Sequence, residues 1–203
     1  MIKMLEVNII KWEVDWQEIK NLCRGTINLG DSNIVPPDDW KKDLLLAEHS
    51  PLRHSLITIE LKNIPYYVTT HLVRHHIGIE KYISTSREDR TNIPRDSRKQ
   101  TDTVTMRMDL NIQSLINISR KRLCGQADPI TRKVWELVVE EVAKYDENIA
   151  FACVPEGIRS AGCPEAFGDC FLCNALLKNM ETKDIIDIKK RYLTYNKKIR
   201  GVK

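Results

Sequence analysis

The residues best suited to chemistry in this chain of 203 residues are the histidines and arginines near position 75. All five histidines lie between His49 and His76. The run Arg74-His75-His76-Ile77-Gly78-Ile79-Glu80-Lys81-Tyr82-Ile83-Ser84 closes the group. In a helix His71, Arg74 and His75 stand at i, i+3 and i+4 and share one face. A guanidinium and two imidazoles on an apolar helix suit an anionic, hydrogen-bonding ligand. A histidine satisfied inside the fold is the plainer reading of His75. The His71 and His75 spacing also fits a metal, but no Glu stands between them and no third ligand is evident. A second group is Cys153, Cys163, Cys170 and Cys173, spaced C-x9-C-x6-C-x2-C. Only the last pair has the short separation that chelates well. Four thiolates suit structural zinc, which would help order a segment rich in Gly and Pro. Reduced structural thiols fit the same pattern, as do an iron–sulfur cluster or a transient disulfide. Cys23 and Cys124 read as buried small residues.

These side chains need elements to position them. Residues 4–11 alternate loosely and read as a strand, and residues 15–24 as a short helix closed by Gly25 and Thr26. Asp38 or Asp39 can cap a helix over 39–48, and Ser50-Pro51 breaks it. Ile57, Ile59 and Leu61 alternate with Thr58 and Glu60, a half-buried strand. Asn63 can cap a helix over 64–75, with Pro65 in its first turn, and that helix would carry the Arg and His face until Gly78. Residues 87–103 are polar and read as a loop. A short strand at 104–108 follows, then a helix over 112–123 capped by Asn111. Asp128-Pro129 opens a longer helix in which Ile130, Val134, Leu137, Val138, Val142 and Tyr145 keep helical spacing. A last helix spans 182–197. The expected division is residues 1–149 as the main domain, with the cysteine-rich segment and basic C-terminal helix of 150–203 packed on it.

Composition is that of one globular domain, 42% hydrophobic and 30% charged. The N-terminus lacks an apolar signal region and no run approaches membrane-spanning length. The expectation is a cytoplasmic protein that does not engage a membrane, with cysteines reduced or metal-bound rather than in disulfides. Net charge is +4, unevenly spread. After Asp187 every charged residue is basic: Lys189, Lys190, Arg191, Lys197, Lys198, Arg200 and Lys203. This reads as a solvated helix end, or as contact with phosphates or an acidic surface. Base-reading motifs are absent and aromatic content is 6%, so nucleic acid is not the expected partner.

Three ordered blocks resemble the flavin-dependent thymidylate synthases. The family signature is Arg-His-Arg, seven residues, then Ser; here Arg74-His75-His76 is followed after seven residues by Ser84. Upstream the family has a turn reading roughly His-x-Thr-Pro-Phe-x-His, and the matching turn here is Glu48-His49-Ser50-Pro51-Leu52-Arg53-His54. Downstream it has Asn-x-Arg-Ser-Leu-x-Asn and an Arg on the same helix. Here these are Asn111-Ile112-Gln113-Ser114-Leu115-Ile116-Asn117 and Arg122. The blocks cover residues 45–140, about half of the chain, and mark a divergent member. His76 stands in place of Arg, Arg53 in place of a carboxylate, His71 in place of Gln and Gln113 in place of Arg. Tyr82 and Ser86 replace a Glu and an Arg, with Arg87 one position beyond.

The resemblance implies an α+β fold with a mixed or antiparallel sheet flanked by helices, assembled as a homotetramer with sites between subunits. It implies FAD as cofactor, a pyrimidine nucleoside monophosphate as substrate, and methylenetetrahydrofolate and NADPH as co-substrates. It assigns catalysis to Arg122, Ser84 and Arg74, and nucleotide binding to His71, Arg74, Ile83, Ser84, Thr85, Arg87 and Arg122. It assigns flavin contact to Ser50, Arg74, His75, His76, Asn111 and Asn117. An Arg that polarises the pyrimidine would raise nucleophilicity at C5. The departures leave methylation of dUMP, a related outcome such as hydroxymethylation, and lost activity all open. A non-catalytic nucleotide- or nucleic-acid-binding protein on this scaffold is the alternative from another class. A zinc-stabilised interaction module is a third.

Overall fold

The alternation around Ile59 builds the spine of the molecule. The computed structural model describes residues 4–166 and 170–201. It holds four strands: β1 (Glu6–Glu13), β2 (Leu56–Pro65), β3 (Ile79–Ile83) and β4 (Thr103–Leu110). Their order is β1-β2-β4-β3 and every pairing is antiparallel. The helices are α1 (Trp16–Gly25), α2 (Asp38–Ala47), α3 (Tyr66–Leu72), α4 (Glu88–Thr91), α5 (Ile112–Arg122) and α6 (Pro129–Ala143). Beyond them lie α7 (Glu147–Ala152), α8 (Glu156–Arg159), α9 (Phe171–Leu177), α10 (Thr182–Ile186) and α11 (Ile188–Tyr195). This is the α+β class the sequence points to.

Strand alternation gives the sheet two unlike faces. Ile59 opposes Met108 and Leu61 opposes Met106, and all four are fully buried. Leu115 and Ile116 of α5 and Val134, Trp135, Val138 and Val142 of α6 share their core. Each such side chain contributes roughly 1.5–3 kcal/mol by leaving water. The Trp135 indole donates to Ser119 Oγ (2.9 Å), so its one polar group is satisfied inside the core. The other face is polar. There Thr58 Oγ1 donates to Asp109 Oδ1 (2.6 Å) and Arg107 pairs with Glu60 (2.8 Å). A satellite core of Phe151, Val154, Ile158, Leu176, Tyr192 and Tyr195 binds the C-terminal helices to α2 through Leu46.

Several elements differ from the sequence expectation. Asn63 does not cap a helix. It takes a left-handed conformation (φ 58°) at an irregularity of β2, and its Nδ2 donates to the Met4 carbonyl (2.9 Å). The helix after it, α3, ends at Leu72 rather than near residue 75. The Thr69 and Thr70 hydroxyls fold back onto the Tyr66 and Tyr67 carbonyls, and Lys81 Nζ donates to the carbonyls of Val73 and His75. The chain then turns at Gly78 (φ 68°) into β3, a strand the sequence reading passes over. Helix α2 has Pro37 at its cap position, with Asp38 and Asp39 in the first turn. The single helix expected over 182–197 is two. Asp187 leaves helical geometry and accepts from the Lys189 and Lys190 amides, capping α11.

Candidate functional site

Because α3 stops at Leu72, His71, Arg74 and His75 do not form one helical stripe. The fold nevertheless gathers them with Arg122, at the end of α5. Arg122 Nε donates to His75 Nε2 (3.0 Å) and Nη2 to the His71 carbonyl (2.6 Å). Its Nη1 has no hydrogen-bond partner among the described residues. Burial, followed by the charges of Arg122, Lys81, His76 and Lys121, pulls His75 from 6.5 down to about 4. At neutral pH the ring is therefore uncharged, with Nε2 as the acceptor and the proton on Nδ1. Burial, and the nearby Arg74 guanidinium, lower Arg122, which stays charged. Arg74 itself is exposed. The two guanidinium groups are near enough for the charge of one to act on the other.

A second line of contacts fixes His71. The Asp128 carboxylate caps α6 by accepting from the Thr131 amide (2.8 Å) and hydroxyl (2.9 Å). Thr131 Oγ1 lies 2.7 Å from His71 Nδ1. With the hydroxyl proton given to Asp128, the oxygen accepts from Nδ1–H. Thr131 is buried and was not singled out in the sequence; its position three residues after Asp128 in a capping pattern is the only local signal. The two imidazoles are thus engaged with Thr131 and Arg122.

Asn111 and Asn117 line a separate cleft of about 400 Å³ with Glu48, Arg53, Ile77, Gly78, Gln113 and Ser114. Asn111 caps α5, accepting from the Ser114 amide (2.9 Å). Ser114 Oγ lies within hydrogen-bond distance of the Ile77 and Gly78 carbonyls (2.8 and 3.0 Å). This packs the end of the Arg-His-His turn onto α5. The contact requires glycine, because a Cβ at residue 78 would stand 2.6 Å from Ser114 Oγ and 2.7 Å from Asn111 Nδ2. Glu48 accepts from Arg120, from Arg159 (2.8 Å) and from Gln113 (2.9 Å). Burial raises the Glu48 carboxyl, but those three partners outweigh it and hold it below the usual range. Gln113 Oε1 is buried with no partner among the described residues. Ser50 is exposed at the start of the Ser50–Arg53 turn, and His76 is exposed beyond α3.

Ser84 sits elsewhere. Its amide donates to the Thr105 carbonyl (2.9 Å) and its Oγ accepts from the Thr105 amide (3.1 Å), so it extends the β3–β4 ladder. It borders an open hollow of about 740 Å³ on the polar face of the sheet, with Thr58, Glu60, Tyr82, Ile83, Arg107 and Asp109. Thr85 follows it on the surface, its Oγ1 accepting from the Arg87 amide (3.1 Å). The Arg87 guanidinium forks onto Asp89 (2.9 and 2.8 Å). Next to this loop, Tyr66, Ser86, Arg95, Arg98, Lys99 and Gln100 line a pocket of about 410 Å³. Arg98 Nε and Nη2 are buried there without a partner among the described residues. Arg95 and Lys99 bring two more cations to this pocket, and Asp102 brings a carboxylate. The sequence signal was the density of basic residues in the polar loop. The basic C-terminus, in contrast, is largely paired: Lys190 meets Asp184 (2.5 Å), Arg200 meets Glu147 (3.4 Å), and Arg191 is buried, donating to the Ile158 and Arg159 carbonyls (2.7 and 2.6 Å). Lys203 lies outside the described residues.

The four cysteines expected together do not all meet. Cys153 is buried in the main core, where its Sγ contacts the Ile149 carbonyl (3.4 Å). Cys163, Cys170 and Cys173 share a smaller cluster with Cys124. As placed, no group of three or more His, Cys, Asp or Glu among the described residues is arranged to hold a metal ion. No helix among them is long and apolar enough to cross a membrane.

No protein-family model matches the chain, and no curated protein sequence matches it significantly. Solved structures do. The flavin-dependent thymidylate synthase ThyX from Helicobacter pylori, complexed with FAD and dUMP, is 13% identical. The match has a TM-score of 0.60 and covers 73% of this chain and 99% of that one. The UMP/dUMP methylase PolB from Streptomyces cacaoi, bound with 5-Br dUMP, is 12% identical. That match has a TM-score of 0.58 and covers 73% of this chain and 94% of that one. By architecture, then, this chain has the α+β fold of the flavin-dependent thymidylate synthase ThyX and the methylase PolB.

Proposed function

We propose that this protein transfers a one-carbon unit to C5 of a pyrimidine deoxynucleoside monophosphate, dUMP or a close relative. The reading takes FAD as cofactor, methylenetetrahydrofolate as donor and NADPH as reductant. One observation carries it: Arg74 and Arg122 stand as neighbouring guanidinium groups beside an uncharged His75, on a scaffold that in ThyX and PolB is seen with dUMP or its 5-bromo analogue. Paired guanidinium groups match phosphate or a pyrimidine carbonyl in charge and in donor geometry.

The residues at the Asn111 cleft fit a flavin. Asn111, Gln113 and Asn117 offer amide donors and acceptors, and the buried Gln113 Oε1 lacks a partner. When bound, the flavin supplies the redox chemistry. The chain's own groups have other tasks. Arg122 would hold the nucleotide through its remaining N–H groups and polarise the ring, which raises electron density at C5. His75 orients Arg122 by accepting from Nε. Asp128 and Thr131 orient His71. Arg98, and Arg87 once it leaves Asp89, would meet phosphate at the loop.

The reading includes a homotetramer with sites between subunits. What supports it is the separation of the blocks: Ser84 lies on the open sheet face, while Arg122 lies at the end of α5 against α3. The absorbance spectrum of the purified protein tests the cofactor, and release of tritium from C5-labelled dUMP and dCMP tests the reaction. A flavin band with NADPH-dependent release is expected. Protein that binds no flavin and releases no tritium refutes the proposal. A binding-only reading draws on the inward turn of Arg122, whose Nε and Nη2 are taken by His75 and His71. Nucleotide binding without release under any flavin loading would favour it.

A further inference from the structure

The six cysteines are thiols, and four of them converge. Cys170 and Cys173 are buried in a small apolar cluster with Leu177, and Cys124 and Cys163 pack against it together with Leu172 and Met180. Three of these belong to one short segment. Cys124 comes from the turn after α5, and the fold brings it to them. The backbone is fitted closely to the sulfurs. A Cβ on Gly125 would lie 2.7 Å from Cys170 Sγ, and one on Gly157 would lie 2.2 Å from Cys173 Sγ. The N–H groups of Cys173, Gly125 and Leu172 are aimed at the Cys170 sulfur, and that of Gln126 at the Cys124 sulfur. In both turns a cysteine sulfur receives the amide two residues later.

Amide N–H groups directed at sulfur stabilise a thiolate more than a thiol. The four thiols are thus packed into one cluster, with backbone N–H groups already directed at two of the sulfurs, an arrangement suited to thiolate ligands of a divalent cation.

We propose that Cys124, Cys163, Cys170 and Cys173 form a structural site for Zn²⁺ or a similar soft divalent cation. As placed the thiols form a hydrogen-bonded set rather than a finished coordination shell. Binding would turn the four sulfurs onto one ion with release of their protons, giving a tetrahedral thiolate site without an open position. The site would tie the turn after α5 to α9 and so join the C-terminal segment to the main core. Cys153 takes no part.

The experiment uses the full chain without an oligohistidine tag. Metal content is measured by mass spectrometry, and thiols are alkylated with and without Zn²⁺ and mapped by peptide mass. The expected result is one zinc per chain that protects Cys124, Cys163, Cys170 and Cys173 from alkylation in native protein, with a chelator removing that protection. Replacing zinc with Co²⁺ should give thiolate-to-cobalt charge-transfer absorption. Cys153→Ser should retain the zinc and Cys124→Ser should lose it. If Cys124→Ser fails to fold, the protection map of the native protein decides. Protein grown with zinc that contains none and gives no cobalt–thiolate absorption overturns the proposal. Zinc that leaves Cys124 as reactive as in the chelated protein overturns it as well.

Discussion

Acidification tests the environment of His75. Its ring is held at about 4, against 6.5 when unperturbed, mainly by burial and secondly by Arg122. The unfolded chain therefore takes up a proton as pH falls below 6.5, while the folded chain does not until about pH 4. The folded state loses stability across that window, and the loss levels off below it. The unscreened limit is about 3 kcal/mol. The ring is only partly buried, so solvent screening reduces the expected loss to about 1–2 kcal/mol. Carboxylates begin to titrate at the acid end of this window, so the comparison must be differential. His75→Gln keeps an acceptor for Arg122 Nε and carries no proton of its own. Urea unfolding of both proteins at pH 7 and pH 4.5 should show the native protein losing about 1 kcal/mol more than the variant over this interval. Equal losses would refute the reasoning, as would a His75 ring resonance that titrates near 6.5 by NMR.

Gly78→Ala forces a side chain into Ser114 and Asn111 at positive φ, and should cost about 1–3 kcal/mol by thermal or chemical denaturation. Glu48→Ala leaves Arg120 and Arg159 without their shared carboxylate. A loss of about 2–3 kcal/mol in urea is expected, shrinking at low pH as Glu48 in the native protein becomes protonated. Trp135→Phe removes both buried volume and the bond to Ser119, and should lower stability by about 1–3 kcal/mol. Arg122→Lys keeps the charge but cannot fork. By calorimetry it should weaken dUMP binding roughly tenfold or more, about 1.4 kcal/mol.

Features written in local chemistry were legible in the sequence. Asn111 and Asp128 cap α5 and α6 because their side chains meet amides two or three residues on, a relation visible in one dimension. Strand β2 showed through its alternation. Strand β3 did not, because it has only five residues and follows the Arg-His-His turn directly. Its Lys81 points toward the helix side yet spends its charge on the Val73 and His75 carbonyls, which no sequence pattern announces. The chemistry near Arg122 was legible as residue types, but the pairing of Arg122 with His75 spans 47 positions. Cys124 was missed for the same reason: its neighbours are set by the docking of α9, not by spacing.

The sheet described above also governs how the chain must fold. Glu6 pairs with Lys62, Ile57 with Leu110 and Ile79 with Leu110, so no two strands are joined by a tight hairpin. Each pairing closes a long loop before it gains any contact, which is entropically slow. Helices α5 and α6, with strong caps and adjacent positions, can form early and offer Leu115 and Trp135 as a surface on which β2 and β4 collapse. Refolding should therefore show helical signal ahead of the sheet, with the sheet completing over milliseconds to seconds. The same helices that position Arg122 and Thr131 would then be the template on which the sheet is assembled.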